Sequence, residues 1–106
     1  MTDLGNFRNL DLVHYLRDQM LWSKETFGCG TRTEPLLKHI EKEVQEVRDS
    51  NGDDLYEWID IIILAFDGAL THGFDPGEVA FALRHKLEIN KKRTYEKDQD
   101  GVFLHV

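Results

Sequence analysis

The sequence predicts an all-α domain, a compact four-helix bundle. Apolar residues recur at helical spacing in four separate segments. Capping or turn residues bound each segment, and the period-two alternation of strands is hard to find. The 106 residues suffice for one domain over 1–106, with a core from about 9 to 93 and a C-terminal tail over 94–106. A chain this short buries a modest fraction of its surface, so a partner subunit would help stabilise it.

The first helix is expected from about Asp11 to Lys24, with Leu12, Leu16 and Met20 on one side and Gly28 and Gly30 in the loop beyond. A second begins near Thr33, read as the N-cap, with Pro35 in the first turn, where its missing N–H does no harm. Leu36, Ile40, Val44 and Val47 form its apolar stripe, which ends before Ser50-Asn51-Gly52. The third starts at Asp53 or Asp54 and runs to His72, with Gly73 free to take the left-handed C-terminal conformation. Asp75, Pro76 and Glu78 open the fourth as cap, first-turn proline and capping-box glutamate, and it continues to about Arg93. The segment EKDQDGVFLHV reads as a tail that either docks its apolar end on a neighbour or stays disordered.

A formal charge of −7 argues against duplex DNA binding, which needs a basic footprint. It leaves nucleotides open, because a divalent cation reverses the local sign of a carboxylate site. The single Cys29 permits neither an intrachain disulfide nor a thiolate zinc cluster, which fits a reducing compartment. The opening MTDLGNFRNLDLV lacks the pattern of a signal peptide, and the longest greasy segment, Trp58 to Phe66, is too short to span a bilayer. A cytoplasmic protein is expected.

The chemistry lies in the acids. The segment EWIDIIILAFDG sets Asp60 among Trp58, Ile59, Ile61, Ile62 and Ile63, where a charge is expensive unless neutralised. On a helical wheel Glu57, Asp60 and Asp67 share one narrow sector with Leu64, and apolar side chains fill the rest. This predicts a third helix buried nearly all round except for an acidic stripe, with Asp67 meeting water near its end. Glu43 and Glu46, three apart on the second helix, lie beside its apolar stripe, with His39 one turn earlier. Packing the two stripes together brings Glu43 and Glu46 opposite Glu57 and Asp60. Four such carboxylates raise one another's pKa values and suit a hard, oxygen-loving cation, Mg2+ with Mn2+ as its substitute. Taken without Asp60, the Glu43–Glu46 pair reads first as ordinary solvated acid.

Lys86, Asn90 and Arg93 share one face of the fourth helix. They suit phosphate oxygens, or they are a basic helix end favoured by the dipole. Tyr15, Gln19 and Trp22 align on the first helix, either as a wall for a base or as core. His39 either touches a nucleotide, orients a carboxylate or is structural. No GxxxxGK[ST] occurs, and no Cys-His or Ser-His wording suggests a nucleophile.

The pattern Glu43-x-x-Glu46, Glu57-x-x-Asp60, Lys86-x-x-x-Asn90-x-x-Arg93 resembles the MazG-like, all-α nucleoside triphosphate pyrophosphohydrolases. WSKETFG, KHIEKEVQEV and EWIDIIILAFDGA are similar to the branch of dATP/dGTP pyrophosphohydrolases often found in phages. The resemblance covers roughly Trp22 to Arg93. It implies that Glu43, Glu46, Glu57 and Asp60 ligate magnesium. It further implies that Lys86, Asn90 and Arg93 face phosphates, that the N-terminal helix helps enclose the base, and that the protein is a homo-dimer or homo-tetramer. The expected reaction converts a purine dNTP to dNMP and pyrophosphate, with Glu46 steering the attacking water and Lys86 and Arg93 clamping phosphate charge.

Tyr15, Gln19, Trp22, Lys38 and His39 are candidates for telling adenine from guanine, a choice that spacing leaves open. The competing class is a non-catalytic helical protein-interaction module, which would show no metal-dependent stabilisation. A di-iron bundle wants Glu-x-x-His pairs, and the chain has none.

Overall fold

Three of the four helices begin where an aspartate side chain satisfies a free N–H. The structure is a computed structural model and describes residues 10–106, so the reading of the opening stretch over 1–9 lies outside the described residues. Helix α1 spans Leu12–Phe27, capped by Asp11, whose Oδ1 accepts from the His14 N–H at 3.2 Å. Helix α2 spans Thr33–Asp49, helix α3 Leu55–Thr71 and helix α4 Pro76–Lys91. Asp54 caps α3 by accepting from the Tyr56 N–H at 2.9 Å. Asp75 and Glu78 form both halves of the expected capping box on α4, at 2.8 and 3.1 Å.

Three boundaries depart from expectation. Thr33 is the first residue of α2 rather than its cap, and the cap, Arg32, makes no side-chain bond to the helix. Helix α1 continues past Lys24 to Phe27, ending where Gly28, at φ +89°, turns its N–H back onto the Lys24 carbonyl. Helix α4 stops at Lys91, so Arg93 lies just beyond it.

The C-terminal tail is ordered as a β-hairpin. Strand β1 (Tyr95–Lys97) pairs antiparallel with β2 (Phe103–His105), placing Glu96 opposite Leu104. The turn is closed by Asp98, whose Oδ1 accepts from the N–H groups of Asp100 and Val102 at 2.8 and 2.9 Å. Gly101 supplies the left-handed residue, at φ +82°. Each strand is only three residues long, too short to register as a period-two run in the sequence.

Helix α3 is the axis of the fold. Helix α2 packs along it on one side, α1 and α4 pack on it and on each other, and α2 approaches neither α1 nor α4 closely. The α2–α3 turn is tight because Asn51 and Gly52 both take positive φ, and Trp58 Nε1 donates to the Gly52 carbonyl at 3.0 Å. The Cα radius of gyration is 16.0 Å, against about 13 Å for a compact domain of 100 residues. So open a layout corrects the expectation that α3 is buried nearly all round: Tyr56, Trp58 and Ile62 are exposed in the single chain. Asp60 is exposed as well.

The buried positions among the described residues are nearly as often polar as apolar: Leu16, Leu36, Leu64, Leu70 and Pro76, with Gln19, Ser23, Glu43 and Asp67. Asp67 does not meet water at the helix end. Only 3% exposed, its Oδ1 accepts from Gln19 Nε2 at 3.0 Å and its Oδ2 from Ser23 Oγ at 3.3 Å. Arg32 Nη2 lies 3.5 Å from the same Oδ2 and donates to Ser23 Oγ at 3.1 Å. Gln19 is committed throughout, for Nε2 also donates to the Ile63 carbonyl and Oε1 accepts from Tyr15 Oη at 2.6 Å. A buried carboxylate is tolerable here because Gln19, Ser23 and Arg32 all turn donors towards it. Its cost is visible at Tyr15, whose phenol is pushed above its ordinary pKa by burial and then by the charges of Asp67 and Asp18. Asp67→Ala should destabilise the fold by about 2–3 kcal/mol, since it strands charge-assisted donors in a dry setting. Urea denaturation followed by circular dichroism measures this, and a change within error would show that the network contributes little.

Candidate metal and nucleotide site

Helices α2 and α3 run antiparallel through a tight turn, so residues near the turn on one helix meet residues near it on the other. One carboxylate oxygen each from Glu43, Glu57 and Asp60 lie within 4.8 Å of one another. Glu43 is 9% exposed, whereas Glu57 is half-buried and Asp60 and Glu46 reach solvent. His39 Nε2 stands 3.2 Å from Glu43 Oε1, one turn back along α2. The other oxygen, Glu43 Oε2, is buried with no hydrogen-bond partner among the described residues.

Electrostatics follow from the crowding. The Glu43 carboxyl is raised above the usual range, first by sharing a hydrogen bond with Glu46, then by burial and by the charges of Glu46 and Asp60. His39 pulls it the other way. Glu57 is also raised, first by burial, then by a shared hydrogen bond with Glu46 and by the charges of Glu46, Asp54 and Glu43. Glu46 is thus the common neighbour of both. Two carboxyls share a hydrogen bond only if one keeps its proton, so the cluster wants either protons or a cation. The orphaned Oε2 of Glu43 and an all-oxygen donor set, some buried and some open to water, fit a hard divalent ion that keeps part of its water shell.

The acids lie at one end of a groove of about 280 Å³. Its floor is α3, with Asp60, Ile63, Leu64 and Asp67; α2 contributes Leu36, His39 and Glu43; α1 and the following loop contribute Trp22, Phe27 and Arg32. The groove exists because α1 and α2 stand apart over α3. Trp22 packs edge-on against Phe27, 5.4 Å between centroids at 87°, and Arg32 lies over the Phe27 ring at 4.8 Å. A second hollow of about 210 Å³ also reaches Ser23 and Asp67 but none of the clustered acids.

Of the residues singled out in the sequence, Trp22, His39, Glu43 and Asp60 line this groove, and Glu46 and Glu57 crowd its acidic end. Gln19 is buried behind the groove, bonded to Asp67. Lys38 is exposed on α2, and Lys86, Asn90 and Arg93 do not line the groove of the single chain. Arg93 Nη1 donates to Asn90 Oδ1 at 3.3 Å, so those two at least share a face. Sequence reasoning passed over Arg32 and Ser23. The available signal was Asp67 itself, since an acid in an apolar helix needs donors, and Gln19 and Ser23 lie four apart on α1.

The sign of the pH effect without metal follows from the raised carboxyls. Unfolded glutamate ionises near about 4.3; above that, the folded state must give up protons it holds more tightly than the unfolded chain does. Stability contributed by Glu43 and Glu57 is full below that range and is lost as pH rises through their raised folded-state values. Glu43→Gln should therefore be more stable than the parent in EDTA at neutral pH, with the gap closing towards pH 4. Thermal melts across pH with and without magnesium test this; a variant less stable at every pH would mean that the carboxylates are not crowded.

The chain matches the dATP/dGTP pyrophosphohydrolase family model over residues 15–104. A curated dATP/dGTP diphosphohydrolase of Salmonella phage PMBT28 is 34% identical over 85 residues, or 80% of this chain. The chain spans 28% of the length of that relative. Among solved structures, it is similar to the MazG-like pyrophosphohydrolase of cyanophage S-2L, bound to dGDP and three catalytic Mn2+ ions per active site. That likeness has a TM-score of 0.71 at 26% identity and covers 92% of this chain and 98% of the other. With its helices, its turn and its gathered acids arranged on the MazG-like fold, the chain belongs to the dATP/dGTP pyrophosphohydrolase family.

Proposed function

We propose that this protein hydrolyses a purine deoxynucleoside triphosphate to its monophosphate and pyrophosphate with magnesium as cofactor. The observation that carries the reading is the convergence of Glu43, Glu57 and Asp60 oxygens at the end of an aromatic-walled groove. Family membership and the Mn2+- and dGDP-bound relative support it. Glu43, Glu46, Glu57 and Asp60 would hold Mg2+, with Mn2+ able to replace it. When bound, the cation supplies Lewis acidity and offsets charge on carboxylates and phosphates alike.

The protein's own groups do the rest. Glu46, exposed beside the cluster, takes the proton of a water attacking at the α–β anhydride, whose bridging bond then breaks to release pyrophosphate. His39 holds Glu43 in place through the 3.2 Å contact. Trp22 walls the base, and the groove excludes bulk water from one side of the nucleotide.

Lys86, Asn90 and Arg93 would clamp phosphate oxygens. They lie away from the groove of their own chain, so that role fits a homo-dimer or tetramer in which α4 of one copy faces the site of another. Such an assembly also covers the apolar side chains of Trp58, Ile62, Phe81 and Leu83. Among the described residues no helix is long and apolar enough to cross a membrane, and the reading places the enzyme in the cytoplasm, a phage host's if the gene is viral.

Incubation with each dNTP and Mg2+ should release pyrophosphate, not phosphate, from purine substrates; no turnover of any triphosphate would refute the enzyme. Asp60→Asn should lower kcat at least 100-fold (about 3 kcal/mol) while leaving the helical circular dichroism unchanged, and retained turnover would remove Asp60 from the cation site. A monomer by light scattering would undercut the shared phosphate clamp.

A further inference from the structure

Trp22 and Phe27 meet although helix geometry does not bring them together. Five residues apart on α1, they point about 140° away from each other around the helix axis. Side chains on a helix touch at spacings of three and four, not five. Yet the two rings pack edge-on with centroids 5.4 Å apart. Phe27 is the last residue of α1, before Gly28 at φ +89°, so no following turn of helix steadies its ring. Arg32 does so instead, with its guanidinium 4.8 Å over that ring.

Arg32 is itself fixed from α3. Its Nη2 donates to Ser23 Oγ at 3.1 Å and lies 3.5 Å from Asp67 Oδ2. A chain of contacts therefore runs from Asp67 through Arg32 and Phe27 out to Trp22. Trp22 and Phe27 stay about half exposed, and both line the groove. Aromatic surface left open to a groove suits a nucleotide base, whose flat face stacks on it whatever its edge carries. Asp67 lies seven residues along α3 from Asp60, about 10 Å of helix rise. One rigid helix thus spaces the acid cluster from the anchor of the aromatic wall.

We propose that Arg32 is a positioning residue for base binding: tied to Asp67 and Ser23 and laid on Phe27, it fixes Trp22 as the surface on which the base stacks. The inference rests on nucleotide occupancy of the groove as proposed above. In this role Arg32 acts through the two rings and makes no contact with the nucleotide. A direct contact from Arg32 to phosphate is the competing role, and ligands with and without a base tell the two apart.

The test is calorimetric titration of dGDP, dADP and inorganic tripolyphosphate, each with Mg2+, into wild type, Arg32→Leu, Arg32→Gln, Trp22→Ala and the double variants. The Gln variant keeps an amide donor for Asp67 and so protects the fold. Both Arg32 variants should weaken the tighter-binding nucleotide about 10-fold, the scale of a lost base–aromatic stack, and leave tripolyphosphate unaffected. Trp22→Ala should cost a similar factor, and adding either Arg32 change to it should cost nothing more. Multiplying losses in the double variants would mean that Arg32 does not act through Trp22, and would overturn the proposal. So would equal losses for nucleotide and tripolyphosphate in a folded Gln variant, unchanged nucleotide affinity, or a wild type that binds neither nucleotide. Nucleotide binding without turnover fails the pyrophosphohydrolase reading alone, and the affinities still judge Arg32. Turnover with unchanged affinities in both Arg32 variants fails this inference alone.

Discussion

Carboxylates crowded across the α2–α3 contact are the constraint around which the molecule is arranged. Glu43, Glu46, Glu57 and Asp60 are drawn together by the apolar packing of two helices, not by attraction for one another. A shared hydrogen bond with Glu46, burial and mutual repulsion raise the proton affinity of Glu43, and burial foremost that of Glu57, while one Glu43 oxygen stays buried without a donor among the described residues. Hydrophobic burial along the helices outweighs that repulsion in the free protein. The result is a site held ready for a cation, with the cost of assembling it met during folding rather than at binding.

A second acid sets the other end of the groove by the opposite strategy. Asp67 is deeper than any of the clustered acids and is surrounded by donors: Gln19 and Ser23 from α1, and Arg32 from the loop between α1 and α2. It ties α1 and the loop to α3 while α2 stays clear of α1, and that gap is the groove. One acid is satisfied within the chain and makes a wall. The others are left unsatisfied and make a site. The two kinds of carboxylate differ only in what faces them across the helix interface.

The openness of the single chain belongs to the same design. With α2 packed on α3 alone among the helices, Leu55, Tyr56, Trp58 and Ile62 have no full covering within the chain, and a 16.0 Å radius of gyration reflects that. Trp58 illustrates the compromise: its indole N–H fixes the turn through Gly52 while about half of the side chain faces outward.

The sequence by itself determined the four helices, the aspartate caps of α3 and α4 and the gathering of acids, because helical periodicity and capping are local and two amphipathic stripes can pack in few ways. It also carried the family, through the spacing of Glu43, Glu46, Glu57 and Asp60. It did not reveal the hairpin, where three-residue strands are held by a side-chain turn at Asp98 rather than by a hydrophobic period. Nor did it separate Asp67 from Asp60, which share one sector of the same helix. Only the tertiary structure decided that Asp67 meets Gln19, Ser23 and Arg32 while Asp60 meets Glu43 and Glu57. A helical wheel gives the direction of a side chain but not what stands opposite it, and that is set by which helices pack and which are held apart.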